Sequence, residues 1–373
     1  MCDQLREALP GKKPTKGGFS DTETKLPMVI PDGAPVASTP VTTTTPVGRW
    51  LRTCRNLALS KLASIGSMLP NYGLGMTAQH NIATHEVSAN DLSFTYLECG
   101  AGPLALCLHG FPDSAHSWRH LLPELASAGY RAVAPFMRGY APTSVPANGA
   151  YQTAALATDA NALHEKLGGN SDAVIIGHDW GAPAVYGAAI LEPGRWKTVV
   201  GMSVPPWGAM GNAFISNLNQ VQRSWYMFFF QHGLSDFVVG ANNLAFIDML
   251  WDQWSPGFSA IEDIANAKAT IATPEHLEAA LGYYRATLGT GFRDPALTDA
   301  QNLVQGENPP QPVLYLHGEK DGCIGAEVAH DAATRAPSNA RVEIVEGAGH
   351  FMQLEQPAKV NKLIVNWITS NAS

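Results

Sequence analysis

The chain has 373 residues, with 24 Lys and Arg against 32 Asp and Glu, a formal net charge of −8 and an isoelectric point near 5.8. This acidic balance argues against a nucleic-acid-binding protein, which needs a basic surface. The length allows either two domains of ~150 residues or one large domain with an insertion.

No run reaches the ~18 consecutive apolar residues of a membrane-spanning helix, and the first thirty residues lack the apolar segment of a secretory signal. The cysteines are odd in number and do not have the spacing of a zinc site or a disulfide framework. They are Cys2, Cys54, Cys99, Cys107 and Cys323. We therefore expect a soluble cytoplasmic protein without structural disulfides, metal or cofactor.

The first 84 residues differ in composition from the rest. Residues 1–46 are rich in Pro and Thr and contain a single aromatic residue, which predicts a disordered tail. Residues 47–84 contain no acidic residue, and basic and apolar side chains alternate at helical spacing, which predicts a basic amphipathic helix and a linker. We expect this helix to pack against the main domain, and peripheral membrane contact through residues 47–69 is the alternative.

Beyond residue 84 the pattern predicts alternating strands and helices. In chain order these are a hairpin over 85–97, a strand over 104–108, a helix over 114–128, a strand over 130–135, a helix over 153–167, a strand over 173–176, a helix over 182–191 and a strand over 197–204. The rhythm stops in an aromatic-rich helical stretch over 206–308 and returns with strands over 313–316 and 342–345, a helix from about 326 and a helix over 357–369. The predicted fold is α/β: a mostly parallel sheet formed by 85–205 and 309–373, with a helical cap inserted after the sixth strand.

A candidate nucleophile lies in Gly-His-Asp-Trp-Gly at 177–181, which follows a predicted strand and opens a predicted helix. In this context a G-x-nucleophile-x-G turn raises its central side chain, here Asp179, above the carboxyl edge of the sheet. The alternative is that Asp179 only caps the helix. If Asp179 is the nucleophile, the oxyanion hole would consist of the backbone N–H of Trp180 and that of Phe111, in His-Gly-Phe-Pro at 109–112.

Two more side chains complete a candidate triad. Asp321 follows the predicted strand over 313–316, and His350 follows the next strand. Each alone is an ordinary loop residue, but nucleophile, acid and His in this order, each after a strand, match the chain order of α/β-hydrolases. Other candidates fit less well, because three acids lie in the cap, His178 points differently within the turn and His109 fits a structural role. The three acids are Asp236, Asp248 and Asp252.

These motifs together resemble those of α/β-hydrolase-fold epoxide hydrolases over residues 85–373. The motifs occur in the family's order: His109 to Pro112, Arg138 to Tyr140, Gly177 to Gly181, Ser203 to Pro206, Glu319 to Asp321, and Gly349 with His350. The resemblance implies that Asp179 forms a covalent ester, which water activated by His350 and Asp321 then hydrolyses.

The resemblance also implies two proton-donating tyrosines in the cap. The segments Trp225 to Gln231 and Tyr283 to Arg285 are similar to the family's cap motifs, which points to Tyr226 and Tyr284, with Tyr283 left as an alternative to Tyr284. The chemistry agrees with this assignment. An Asp carboxyl with a pKa of ~3.9 is ionised at neutral pH and can attack carbon without a base, whereas an epoxide oxygen leaves as a strongly basic alkoxide that a phenol can protonate.

Three alternatives remain at this stage. A haloalkane dehalogenase would use the same Asp nucleophile, although that family commonly places Asn where this chain has Phe111. A non-catalytic binding protein can keep the same fold, and a serine esterase is disfavoured by the Asp at the nucleophile position. We expect a small hydrophobic epoxide and water as the ligands, no nucleic acid, and either a monomer or a homodimer.

Overall fold

The computed structural model describes residues 81–371, so the predicted tail over 1–46 and nearly all of the predicted basic helix over 47–84 lie outside the described residues. The described chain begins with an antiparallel hairpin of β1 (Ala83–Ala89) and β2 (Leu92–Gly100). Asn90 and Asp91 form its turn, and both have positive φ, as a type I′ turn requires. The first strand thus begins two residues before the predicted one.

Six further strands complete an eight-stranded sheet in the order β1-β2-β4-β3-β5-β6-β7-β8. They are β3 (Leu104–Leu108), β4 (Arg131–Pro135), β5 (Val174–His178), β6 (Thr198–Met202), β7 (Val313–Gly318) and β8 (Ala340–Val345). The sheet is parallel from β4 to β8, and β2 joins it antiparallel to β4. Every residue of β3, β5, β6 and β7 is buried, as expected for parallel strands covered on both faces.

The described chain contains fourteen α-helices, some of which pack on the two faces of this sheet. In order they are α1 (Leu122–Ser127), α2 (Thr153–Lys166), α3 (Gly181–Leu191), α4 (Ala209–Ser216), α5 (Leu218–Arg223), α6 (Trp225–Phe229), α7 (Leu234–Gly240), α8 (Ala245–Trp254), α9 (Ile261–Thr270), α10 (Pro274–Leu288), α11 (Thr298–Gly306), α12 (Ala326–Arg335), α13 (Met352–Glu355) and α14 (Pro357–Ser370). Alternate residues of β3 belong to two separate apolar clusters, one shared with α2 and α3 and the other with α1 and α14. The predicted α/β-hydrolase fold is therefore confirmed.

The helix predicted over 114–128 is interrupted. A short 3-10 helix, Ala115–Trp118, is followed by α1, whose first turn contains Pro123. Because proline lacks a backbone N–H and its ring clashes with the preceding turn, it fits the start of a helix and not its interior. The single predicted helix was wrong for this reason.

Helices α4 to α11 lie between β6 and β7, where the sequence predicts the cap. Several of their largest side chains are almost completely buried and face the carboxyl ends of the strands, among them Tyr226, Trp254 and Tyr284. The insertion therefore forms a roof over the edge of the sheet where Asp179 lies. Within residues 81–371, no helix has both the length and the apolar character needed to cross a bilayer.

Candidate active site

The turn between β5 and α3 holds Asp179 in a strained conformation, with a φ of 51°. The two flanking glycines make this turn possible. A Cβ added to Gly177 would lie 2.2 Å from the carbonyl oxygen of Gly181, and one added to Gly181 would lie 2.1 Å from the carbonyl oxygen of Leu108. The tight turn leaves Asp179 buried, with 4% of its surface exposed. Positive φ at a non-glycine residue costs free energy, and residues with such strain are enriched at active sites as well as in turns.

The loop after β3 places a hydrogen-bond donor on the Asp179 carboxylate. The Phe111 N–H donates to Oδ1 of Asp179 at 2.7 Å. Gly110 lies so close that an added Cβ would be 2.3 Å from this oxygen and 2.6 Å from the backbone nitrogen of Trp180. The two N–H groups expected to form an oxyanion hole therefore border the same small space beside Asp179.

His350 lies between two carboxylates. Its Nδ1 lies 2.9 Å from Oδ2 of Asp321, and its Nε2 lies 3.6 Å from Oδ2 of Asp179. Asp321 is fixed in turn, because its Oδ1 accepts the N–H groups of Cys323 at 2.8 Å and Ile324 at 2.9 Å. An Nδ1–H donated to Asp321 leaves Nε2 facing Asp179. The structure thus brings together the three residues that the chain order predicted as a triad.

The charges around His350 stabilise its protonated form. Burial by itself lowers the pKa of His350, but the negative charge of Asp321, the hydrogen bond to Asp321 and the charge of the nearby Asp179 together raise it to about 10. The pKa of Asp321 is lowered: burial opposes ionisation, and the charge and hydrogen bond of His350 outweigh it. The surroundings of His350 therefore favour its imidazolium form.

The two cap tyrosines meet above Asp179. The rings of Tyr226 on α6 and Tyr284 on α10 are 5.7 Å apart, and both side chains are buried. The Tyr284 hydroxyl has no hydrogen-bond partner, whereas the Tyr226 hydroxyl lies 3.2 Å from Sγ of Cys323. Tyr283 points elsewhere, since its hydroxyl donates to the carbonyl of Arg138 at 2.8 Å.

A cavity of about 60 Å³ joins these groups, with Asp179, Tyr226 and Tyr284 in its wall. The rest of the lining is mainly apolar and includes Pro183, Val204, Met210, Met227 and Ile324. Burial is the main reason why the pKa of each tyrosine is raised well above 10, and the Asp179 charge adds to it. Both phenols therefore remain protonated, and both can donate a hydrogen bond into the cavity.

The acids weighed against Asp321 lie outside this cluster. Asp236 forms an ion pair with Arg285 at 2.9 Å, and Asp248 forms one with Lys268 at 2.6 Å. Asp252 is exposed. These positions place all three away from His350.

The two other histidines weighed in the sequence analysis, His178 and His109, have structural contacts. Nε2 of His178 lies 2.9 Å from the carbonyl oxygen of His350. Nε2 of His109 accepts a hydrogen bond from the N–H of Met137 at 3.0 Å. Both rings are fully buried. Each therefore braces a loop of the site.

Two residues near the chemistry were missed by the sequence reasoning. Cys323 lies beside Tyr226, and the carbonyl of Trp254 in the cap accepts N–H groups from Gly322 at 3.1 Å and His350 at 3.0 Å. Trp254 thus ties the loops that carry the acid and the His to the cap. The only sequence signal for Cys323 is its place two residues after Asp321, and a backbone contact such as that of Trp254 has no signal.

One set of side chains among residues 81–371 could hold a metal ion. Asp179, Cys323 and His350 present ligand atoms within 4.8 Å of one another. Each has another partner in the structure: the Phe111 N–H for Asp179, Tyr226 for Cys323 and Asp321 for His350. A metal ion bound by these three side chains would have to replace these contacts.

Comparison with known proteins identifies the class. A family model described as alpha/beta hydrolase fold matches residues 103–357, and the chain belongs to this family. An epoxide hydrolase of Caballeronia sordidicola is 44% identical over 125 residues, which is 33% of this chain and 38% of that protein. Epoxide hydrolase B of Mycobacterium tuberculosis is 29% identical over 331 residues, with 72% of this chain and 91% of that protein covered.

The solved structures point the same way. The epoxide hydrolase of Bacillus megaterium, determined with an inhibitor, aligns with a TM-score of 0.65 at 25% identity and covers 76% of this chain and 100% of its own. Together with the curated relatives, this likeness confirms the resemblance to epoxide hydrolases that the motifs indicate.

Proposed function

We propose that the protein adds water to an epoxide to give a vicinal diol, through a covalent ester on Asp179. The observation that carries this proposal is that two buried tyrosines, Tyr226 and Tyr284, share the wall of one cavity with the side chain of Asp179. An epoxide oxygen leaves as a strong base and needs such donors, and each well-placed donor at a developing oxyanion contributes about 2.7–4 kcal/mol in comparable enzymes.

In the first step a carboxylate oxygen of Asp179 attacks an epoxide carbon, and the carbon–oxygen bond of the ring breaks. The leaving oxygen accepts hydrogen bonds from Tyr226 and Tyr284 and takes a proton from one of them. The product is a hydroxyalkyl ester of Asp179 and a tyrosinate. The apolar lining of the cavity favours a hydrophobic epoxide.

Formation of the ester changes the charge beside His350. The ester is neutral, so His350 loses one of the two carboxylates that raise its pKa, and the proton that it holds in the resting protein passes to the tyrosinate. The neutral imidazole then takes a proton from water, and the hydroxide attacks the ester carbonyl while Asp321 stabilises the imidazolium. The N–H groups of Phe111 and Trp180 stabilise the oxyanion. When the intermediate collapses, its bond to the diol oxygen breaks and this oxygen takes the proton of the added hydroxyl, so that the diol leaves, the Asp179 carboxylate forms again and His350 keeps the proton that it took from water.

A haloalkane dehalogenase remains the alternative with the same nucleophile. A halide leaves as a weak base and needs N–H donors more than acids, so a pair of buried phenols favours the epoxide. No cofactor takes part in the scheme. The three described cysteines are free thiols, which supports a reducing compartment such as the cytoplasm.

The decisive experiment is a single turnover with excess enzyme in ¹⁸O-labelled water, with aliphatic, aryl and trans-disubstituted epoxides. We expect the first diol to be unlabelled and the label to enter Asp179, because the added oxygen comes from the carboxylate. Label in the first diol would reject the ester mechanism. Halide release from haloalkanes with intact epoxides would favour the dehalogenase, and no reaction with either class would favour a binding protein.

A further inference from the structure

Cys323 contacts one residue proposed for the opening of the epoxide, Tyr226, and one proposed for the hydrolysis of the ester, Asp321. Its Sγ lies 3.2 Å from the hydroxyl of Tyr226, and its N–H donates to Asp321 at 2.8 Å. Its carbonyl accepts the side-chain amide of Gln220, from the cap, at 3.0 Å. All polar groups of this residue are therefore engaged, and the thiol is held in one place against one of the two tyrosines.

The protonation of Cys323 and Tyr226 determines which of the two donates the hydrogen bond between them. Burial, together with the charges of Asp321 and Asp179, raises the pKa of the Cys323 thiol well above 9, so the sulfur carries a proton. Tyr226 also has one proton, and only one of the two can lie between sulfur and oxygen. When an epoxide is bound, its oxygen needs the phenol proton. The proton between Cys323 and Tyr226 must then come from the thiol.

We propose that Cys323 is a positioning residue, whose S–H donates to the Tyr226 oxygen and thereby directs the Tyr226 O–H toward the epoxide oxygen. The inference rests on the proposed epoxide hydrolysis. It distinguishes the two phenols, because the Tyr226 hydroxyl contacts Cys323 whereas the Tyr284 hydroxyl has no hydrogen-bond partner. Cys323 therefore acts on the ring-opening step through Tyr226 alone.

Three variants separate the donor from the volume of the side chain. Cys323→Val keeps a similar volume without a donor, Cys323→Ala removes both, and Cys323→Ser keeps a hydroxyl donor. The rate of ester formation is measured in single turnovers, and Cys107→Ala is the control, since Cys107 is a buried thiol in β3. We expect Cys323→Val and Cys323→Ala to slow ester formation by about threefold to tenfold, the effect of losing one weak hydrogen bond. Cys323→Ser should restore most of the rate, and Cys107→Ala should keep it.

A double-mutant cycle tests whether Cys323 acts through Tyr226. In a Tyr226→Phe background, Cys323→Val should have no further effect, whereas in a Tyr284→Phe background it should keep its full effect. An unchanged or faster rate in Cys323→Val, no rescue by Ser, or equal effects in both backgrounds would overturn the inference while epoxide hydrolysis stands. If the wild-type protein opens no epoxide, the proposed function fails and this inference fails with it.

Discussion

Replacing Tyr284 by Phe should change catalysis and stability in opposite directions. The Tyr284 hydroxyl is buried and unpartnered in the resting protein, and its ring packs against Phe111 and Trp180 at 5.3 and 5.0 Å. Removing a buried, unsatisfied polar group relieves a desolvation cost of about 1–3 kcal/mol. The same change removes one donor from the leaving oxygen, which costs about 2.7–4 kcal/mol at the transition state, or 10²–10³ in rate.

The adjacent residue provides a matched control for this prediction. Tyr283→Phe removes a hydroxyl that donates to the Arg138 carbonyl, so it should lower the free energy of unfolding by about 1 kcal/mol and leave ester formation nearly unchanged. Ester formation is followed by stopped-flow tryptophan fluorescence, since Trp180 lies beside the site, and stability by guanidinium unfolding. If Tyr284→Phe keeps the wild-type rate, or Tyr283→Phe loses as much, the assignment of Tyr284 as a donor is refuted.

Four further predictions follow from the same contacts. Replacing His350 by Gln removes the base, so intact-protein mass spectrometry should find the chain heavier by one epoxide; an unmodified chain would contradict the ester. Asp321→Asn removes the carboxylate that orients His350. By analogy with serine-protease triads, the rate of diol formation should fall by roughly 10⁴. A nearly normal rate would exclude Asp321 as the acid of the triad. The pKa of His350 is raised from 6.5 to about 10 on folding, so its contribution to stability is complete below pH 6.5 and disappears as the pH rises toward 10. Guanidinium titrations at several pH values should record this loss of stability, and the loss should be smaller in Asp179→Asn. Equal losses in the two proteins would refute the role of the Asp179 charge in raising the pKa of His350. A Cβ at Gly181 would lie 2.1 Å from the Leu108 carbonyl oxygen, so Gly181→Ala should lower both the melting temperature and the rate of ester formation, and a normal melting temperature would contradict the close approach.

The sequence predicts those parts of the fold that depend on local patterns. Strand β3 was predictable because Leu104–Leu108 is an uninterrupted apolar run, as a strand buried on both faces requires. The helix over 114–128 was predicted wrongly because its apolar spacing continues through Pro123, and periodicity alone does not register the missing N–H. Local pattern thus gives the type of element more reliably than its continuity.

The triad was predictable from topology, whereas the choice of Tyr284 over Tyr283 rested only on the resemblance of the segment Tyr283 to Arg285 to the family's cap motif. The carboxyl ends of parallel strands meet at one edge, so Asp179, Asp321 and His350 lie close together whatever their distance in sequence. Tyr283 and Tyr284 are neighbours on α10, and at 3.6 residues per turn they point about 100° apart. Which of them faces Asp179 depends on how α10 sits on the core, and that is a tertiary property without a local signal.

The site also explains how two carboxylates can remain buried together. Burying an isolated charge is costly unless a partner of opposite charge compensates it. Protonated His350 compensates both Asp179 and Asp321, and the Phe111 N–H adds a donor to the nucleophile. In the proposed mechanism, formation of the ester removes one of the two negative charges and with it the need for the imidazolium. The proposed first step would thus release the interaction that stabilises the Asp179 carboxylate, and His350 would become a base at the point where water must be activated.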